Sequence, residues 1–247
     1  MSPEQIGELL QPFLTAPELP APAELSLTQL QNISIYVDLL QRWNARINLT
    51  AVRNPQDMVT RHFGESLFLA AYLFPQHKPS TASAEHSARH ALDFGSGAGF
   101  PGLPLKIYAP DLFLTLAESS QKKASFLAEA IRSLRLTNAV VFSGRIELAS
   151  GKGRVPQLPP GIAPLDLVTL RAVERFDSAL GSAAALIRYS SGQGPAGKLA
   201  LLIGRRKLEP VAQLLPDFLW DPPVQVPQSH QRMLLVGRYQ PGNASTG

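Results

Sequence analysis

The sequence predicts an α/β protein, a mostly parallel sheet with helices on both faces and an all-helical lobe ahead of it. Three observations predict this class. From residue 90 onward, short apolar runs alternate with helical segments, as suits parallel strands buried on both faces. The first of those runs ends in a glycine-rich turn. The first 74 residues carry helix-capping signals and helical spacing without any strand pattern. A chain of 247 residues is long enough to bury a core for one large domain with an appended lobe.

The elements follow in chain order. Ser2-Pro3-Glu4-Gln5 has capping-box spacing with Pro at the first helical position, so a first helix should run to about Leu14, where the Pro-rich stretch Thr15 to Ala23 ends it. Ser26-Leu27-Thr28-Gln29 repeats the signal, and Leu30, Ile33, Val37, Leu40 and Asn44 extend it into a helix over 27–46. Asn54-Pro55-Gln56-Asp57 opens a third helix through Met58, Val59, Phe63, Leu67 and Ala70. Residues 1–74 therefore read as a helical lobe. The polar, aperiodic segment 75–89 reads as a flexible linker. Strands are expected at 90–94, 112–117, 139–143, 166–170, 198–203 and 232–239, with helices near 102–108, 121–135 and 175–188. Together these make a domain over 90–240, interrupted by a loop at 150–164 and followed by a flexible tail at 241–247.

Composition excludes several chemistries. No cysteine is present, which removes disulfides, thiolate metal sites and a Cys nucleophile. A basic leader with an apolar core and a membrane-length apolar run are both missing, so a cytoplasmic soluble protein is expected, with neither membrane nor metal involvement. No heptad pattern suggests a coiled-coil dimer, and a monomer is expected. The net charge of +4 is unevenly spread: residues 1–41 carry five acids and no base, whereas residues 42–62 hold Arg42, Arg46, Arg53 and Arg61 against Asp57. Lys198, Arg205, Arg206 and Lys207 form a second basic run. Such clusters suit a polyanionic partner, although solvated faces also produce them.

The stretch Ala91-Leu92-Asp93-Phe94-Gly95-Ser96-Gly97-Ala98-Gly99-Phe100-Pro101-Gly102 carries the chemistry. A strand ends in an acid and enters closely spaced glycines that let a backbone approach a ligand. As a bare pattern, Gly97-x-Gly99-x-x-Gly102 also matches a dinucleotide fingerprint, with Glu118 at the distance of a ribose-binding acid. Charge favours S-adenosyl-L-methionine instead. Asp93 would sit near a pyrophosphate at an electrostatic cost, whereas S-adenosylmethionine carries an ammonium and a sulfonium there. Pro101 and Pro104 also disfavour a regular helix starting directly after Gly99. Glu118, at the end of the second strand, can accept both ribose hydroxyls, and Ser119 or Ser120 can either touch the ligand or cap the next helix.

The chain resembles the glucose-inhibited division B family, methyltransferases that modify a guanine N7 in small-subunit (16S) ribosomal RNA. The matching blocks are Trp43-Asn44 with Asn48-Leu49-Thr50-Ala51-Val52-Arg53, then Arg61-His62-Phe63-Gly64-Glu65-Ser66, then the loop from Asp93 to Leu105. Ser143-Gly144-Arg145-Ile146-Glu147 and Leu170-Arg171-Ala172-Val173 complete the series. The resemblance implies a Rossmann-like methyltransferase fold with a mostly parallel seven-stranded sheet. It implies S-adenosylmethionine contacts from Gly95 and Phe100, from Glu118 to Ser120, from Ile146 and Glu147, and from Arg171. With Asp93, Gly97 and Gly99 these form the expected cofactor site. Two departures stand out. Glu65 replaces the usual Asp, and Ile203-Gly204 stands where a Lys-Gly pair is expected, its charge displaced to Arg205, Arg206 and Lys207.

The ribosomal RNA, or the particle carrying it, should meet Asn48, Arg53, Arg61, His62, Arg205, Arg206 and Lys207, since phosphate affinity needs clustered cations. His62 can alternatively be a packed, hydrogen-bonded histidine, and Trp43 reads as core. Guanine N7 offers an in-plane lone pair, so no general base is required and no catalytic residue is assigned. Pyrimidine C5 methylation would need a Cys. Asp221-Pro222-Pro223-Val224 is misplaced for exocyclic-amine chemistry and reads as a turn. The competing readings are a non-catalytic ribosomal-RNA-binding protein that retains cofactor affinity and a nicotinamide-dependent oxidoreductase.

Overall fold

Both sequence-predicted capping boxes form. In this computed structural model, which describes residues 1–75, 89–146, 165–171, 176–187 and 196–240, Ser2 caps α1 (Pro3–Leu14) and Ser26 caps α2 (Leu27–Asn44). In each, the Gln at the third helical position closes the box. Helix α2 stops at Asn44, short of the expected residue 46, because the Asn44 side chain turns onto the following chain. Its Oδ1 accepts from the Leu49 and Thr50 amides and its Nδ2 donates to the Thr50 carbonyl. Asn54 caps α3 (Pro55–Met58), which passes through a π-helical turn (Val59–Gly64) into α4 (Glu65–Leu73). The sequence reading had no signal for that turn.

The sheet begins with β1 (His90–Phe94), followed by α5 (Gly102–Tyr108), β2 (Phe113–Glu118), α6 (Gln121–Ser133) and β3 (Ala139–Ser143). It continues through β4 (Leu167–Arg171), α7 (Phe176–Ala184) and β5 (Lys198–Gly204). A 3-10 turn (Arg205–Lys207) leads into α8 (Leu208–Leu214), then β6 (Phe218–Trp220), β7 (Val224–Gln225) and β8 (Arg232–Tyr239). The order is β3-β2-β1-β4-β5-β8-β6, with β7 pairing β8 off that path. Strands β1 to β5 are parallel, and β8 lies antiparallel between β5 and β6. The main path thus has the seven strands expected. The sequence reading missed β6, β7 and α8, which are short, and placed β2 and β4 one residue early. The expected turn at Asp221-Pro222-Pro223-Val224 is an irregular connection from β6 to β7, with Val224 already in β7. The expected linker and tail, and the loop at 150–164, fall almost wholly outside the described residues.

Two apolar clusters lie on opposite faces of the sheet. Ala91 packs with Phe13, Tyr36, Phe68, Leu103 and Phe126, so the N-terminal helices share a core with α5 and α6. Leu92 and Phe94 pack with Leu180 and Val211 of α7 and α8. Trp43 joins the first cluster, edge-on to Phe126. Among the described residues no helix is long and apolar enough to cross a membrane.

Candidate cofactor site and the polar cluster beside it

Parallel pairing brings the carboxyl ends of β1, β2, β3 and β4 together: Phe94 stands beside both Ala117 and Leu170, and Glu118 beside Ser143. Ligands bind at this edge in open α/β sheets. The glycine loop crosses it, its Gly95 and Ser96 amides both donating to the Ala117 carbonyl at 2.9 Å. Gly95, Gly97 and Gly99 all have positive φ. At Gly99 the cause is close packing as well as turn geometry, because a Cβ there would lie 2.3 Å from the Tyr36 hydroxyl and 2.6 Å from Leu103. At Gly97, which is half-buried, a Cβ would meet only the Gly95 carbonyl oxygen among the described residues, at an ordinary contact distance of 3.9 Å.

Glu118 clamps the loop at Gly97. Its Oε2 accepts from the Gly97 amide at 2.9 Å and its Oε1 from the Ser120 amide at 2.7 Å. Ser120 occupies the N-cap of α6 without a side-chain capping bond, so the capping alternative is not what its hydroxyl does. Ser119 is exposed beside it, and Ile146 is buried beyond the end of β3. Glu147 lies outside the described residues.

Asp93 sits differently from the charge argument. Its carboxylate is wholly enclosed beneath the loop, accepting from the Gly102 amide at 3.2 Å and the Thr169 hydroxyl at 2.8 Å. Burial raises its pKa to about 6, against the lowering effect of those bonds and of Arg171. It ties the loop to α5 and β4 from below and does not present a carboxylate to the surface. Phe100 is likewise turned inward. Its ring stacks with Tyr36 (centroids 5.4 Å apart) and with His62 (4.9 Å), and meets Phe63 edge-on. The Tyr36 hydroxyl donates to the Ala98 carbonyl, fastening α2 to the loop. Burial, then the charge of Asp93, pushes the Tyr36 phenol well above its ordinary pKa, so it stays a donor.

Arg171 ends β4 over the Phe100 ring, 5.8 Å from its centroid. Its Nη2 donates to the Arg61 carbonyl at 2.7 Å, to Glu65 Oε2 at 2.8 Å and toward His62 Nδ1 at 3.1 Å. The Arg61 carbonyl that accepts from Arg171 belongs to the π turn. Glu65 also pairs with Arg232 Nε at 3.3 Å. Among the described residues the buried Nε of Arg171 has no partner.

The RNA candidates come from two stretches of the chain. Asn48, Arg53 and Arg61 are exposed around the loop after α2, where Arg53 also donates to the Asn44 carbonyl and to Asn48. Arg205, Arg206 and Lys207 are exposed in the turn after β5, with Arg205 bonded to Gln225 and Lys207 over Phe176. His62 is half-buried beside them. Thr50 and Arg171 engage both ring nitrogens and Phe100 covers a face, so the packed alternative is the one realised.

A family model described as GidB, rRNA small subunit methyltransferase G, matches residues 29–209. The chain belongs to this family. The Nitrosomonas europaea protein named ribosomal RNA small subunit methyltransferase G is 32% identical over 210 residues, 84% of this chain and 86% of that one. The Stenotrophomonas maltophilia (strain K279a) protein of the same name is 37% identical over 179 residues, 72% and 71% of the two chains. Among solved structures, MtNAS in complex with MTA and tNA is similar with a TM-score of 0.53 at 12% identity, over 87% of this chain and 75% of that chain; this likeness concerns the fold alone. The single Glu65 carboxylate reaches the guanidiniums of both Arg171 and Arg232. Tyr36, Thr169 and Arg232 were absent from the sequence-based site. Tyr36 and Thr169 look like ordinary core positions, and Arg232 reaches the site only because β8 runs antiparallel beside β5.

Proposed function

We propose that this chain transfers the methyl group of S-adenosyl-L-methionine to N7 of a guanine in small-subunit ribosomal RNA. The carrying observation is the Gly97–Glu118 clamp at the carboxyl edge of the sheet, in a chain of the rRNA small subunit methyltransferase G family. The residues suit this cofactor: Gly97 carries no Cβ at the half-buried turn of the loop, and Glu118, pinned by two amides, retains lone pairs for ribose hydroxyls. The antiparallel β8 between β5 and β6 disfavours the dinucleotide reading, whose fold continues in parallel order.

The bound cofactor supplies a methyl group activated on sulfur. Backbone from Gly95 to Phe100 lines one side of the proposed site, and Glu118, Ser119, Ser120 and Ile146 line the ribose and base side. Asp93 acts from beneath by holding Gly102 and Thr169. Arg171 offers to a bound acceptor its Nε, which has no partner among the described residues. Because the N7 lone pair is already available, the chain's task is to align the two reactants and exclude water. Asn48, Arg53, Arg61, Arg205, Arg206 and Lys207 are the proposed contacts to RNA phosphate. The chain would act as a cytoplasmic monomer on the RNA or on the particle carrying it.

Calorimetry with S-adenosylmethionine and with a nicotinamide dinucleotide, followed by transfer of label from methyl-labelled cofactor to small-subunit ribosomal RNA, tests the reading. Binding of the first alone, with label in RNA, is expected. Cofactor binding without label would favour the non-catalytic RNA-binding alternative.

A further inference from the structure

We propose that His62 is a positioning residue, held as the Nε2–H tautomer, that orients the Arg171 guanidinium at the carboxyl end of β4. Its consequence for cofactor binding rests on the S-adenosylmethionine reading above; the tautomer itself does not.

The geometry sets the proton's place. Arg171 Nη2 has two hydrogens and no lone pair to accept with. It shares them among the Arg61 carbonyl, Glu65 Oε2 and, at 3.1 Å, His62 Nδ1, an arrangement that favours an unprotonated Nδ1 over an N–H pointed at a cation. The ring proton is then on Nε2, where it donates to Thr50 Oγ1 at 2.7 Å. That oxygen also accepts from the Val52 amide at 3.1 Å, and the Asn44 side chain fixes the Thr50 backbone. A chain of contacts thus runs from the end of α2 through Thr50 and His62 to β4. His62 Nδ1, the Arg61 carbonyl and Glu65 Oε2 all meet the same nitrogen of Arg171. Holding the guanidinium by Nη2 leaves its buried Nε as the donor for a bound group.

The surroundings keep the ring neutral. The side chains of Arg61 on its own turn, Arg171 from β4 and Arg232 from β8 all oppose a positive charge there, outweighing the Arg61 backbone carbonyl, which favours it. The facing acid, Glu65, is engaged by Arg171 and Arg232. Burial is the largest contribution, and the pKa falls to about 3. Stacking on Phe100 fixes the ring plane. A histidine free to contact RNA would have a nitrogen to spare, and this one has none.

Ring-nitrogen correlation spectra of the 15N-labelled chain test the tautomer, with His62 assigned by its loss in His62→Asn. One protonated Nε2 and one unprotonated Nδ1 are expected from pH 7.5 down to 5 (about 1.5 units below an ordinary histidine midpoint). An Nδ1–H tautomer, or protonation with a midpoint near 6.5, overturns the proposal. Two variants test the consequence. His62→Asn can place a carbonyl oxygen where Nδ1 stands, whereas His62→Phe keeps the aromatic face and loses both nitrogens. The cofactor Kd should rise about tenfold in His62→Phe and stay within about threefold in His62→Asn, a separation of the size of one lost hydrogen bond. Equal losses in the two variants, or an unchanged cofactor Kd with a raised RNA KM, overturn it. If the wild-type chain binds no S-adenosylmethionine, the cofactor reading fails, and the spectrum still decides the tautomer. The same spectrum decides it if His62→Phe does not fold.

Discussion

Tyr36→Phe isolates the contact between helix α2 and the glycine loop. The substitution removes one hydroxyl and leaves the ring stacked on Phe100 and edge-on to Phe63. What is lost is the donor to the Ala98 carbonyl. Tyr36 is wholly buried and Ala98 is 8% exposed, so water cannot readily replace that donor. Stranding a buried acceptor costs about 1–3 kcal/mol, which lowers the Tm of a chain this size by roughly 2–10 °C. The loop is also the proposed cofactor cradle, so part of that cost should appear as weaker binding. If about 1 kcal/mol of it is loop ordering, the S-adenosylmethionine Kd rises about fivefold. Thermal unfolding and calorimetry on the same preparations measure the two effects. A lower Tm with unchanged cofactor affinity would refute the idea that α2 orders the loop. Neither quantity changing would refute the hydrogen bond's importance altogether.

Glu118→Gln should weaken cofactor binding about ten- to hundredfold, because a carboxylate bonded to two amides becomes a group with one acceptor; calorimetry measures it, and an unchanged Kd would mean the clamp is not in the site. Asp93 and His62 should tilt stability in opposite directions with pH. Burial raises Asp93 from 3.8 to about 6, so the folded state holds its proton more tightly and stability falls as pH rises from about 4 to 6, by up to about 3 kcal/mol. His62 is lowered from 6.5 to about 3, so the unfolded chain takes up the proton first and stability is lost as pH falls below 6.5. In denaturant titrations, Asp93→Asn should therefore gain on the wild type as pH rises from 4 to 7, and His62→Asn should gain as pH falls from 6.5 to 4; curves parallel to the wild type would contradict both assignments. Arg61→Ala and Arg206→Ala should each reduce the slope of log affinity for RNA against log salt by about 0.7 to 0.9 if each side chain meets a phosphate, and an unaltered slope would remove that residue from the RNA face.

The sequence pattern was most informative where one short segment decides the structure. Ser2 and Ser26 with their glutamines three residues on, and the apolar run into Gly95, required no distant partner to be read. The proximity of Glu118 to the loop followed from parallel pairing of successive strands. Other features depended on tertiary neighbours. Asp93 could be read as an acid at a strand end, but whether it faces ligand or core depends on Thr169 and Gly102, which fold in from elsewhere. The inward turn of His62 depends on Thr50 and on Arg171, 109 residues away. The π turn at Val59–Gly64 leaves no periodic trace in so short a segment. Arg232 comes to Glu65 through an antiparallel strand that the alternation of elements does not announce.

Mapping the methylated nucleotide tests the central claim most directly. Small-subunit ribosomal RNA lacking the modification would be incubated with the wild-type chain and methyl-labelled S-adenosylmethionine, digested, and its nucleosides resolved by mass. The account predicts label in a single guanine, on N7, and its loss with Glu118→Gln at limiting cofactor. Label on a pyrimidine carbon or an exocyclic amine, or none in any guanine despite normal cofactor binding, would contradict it.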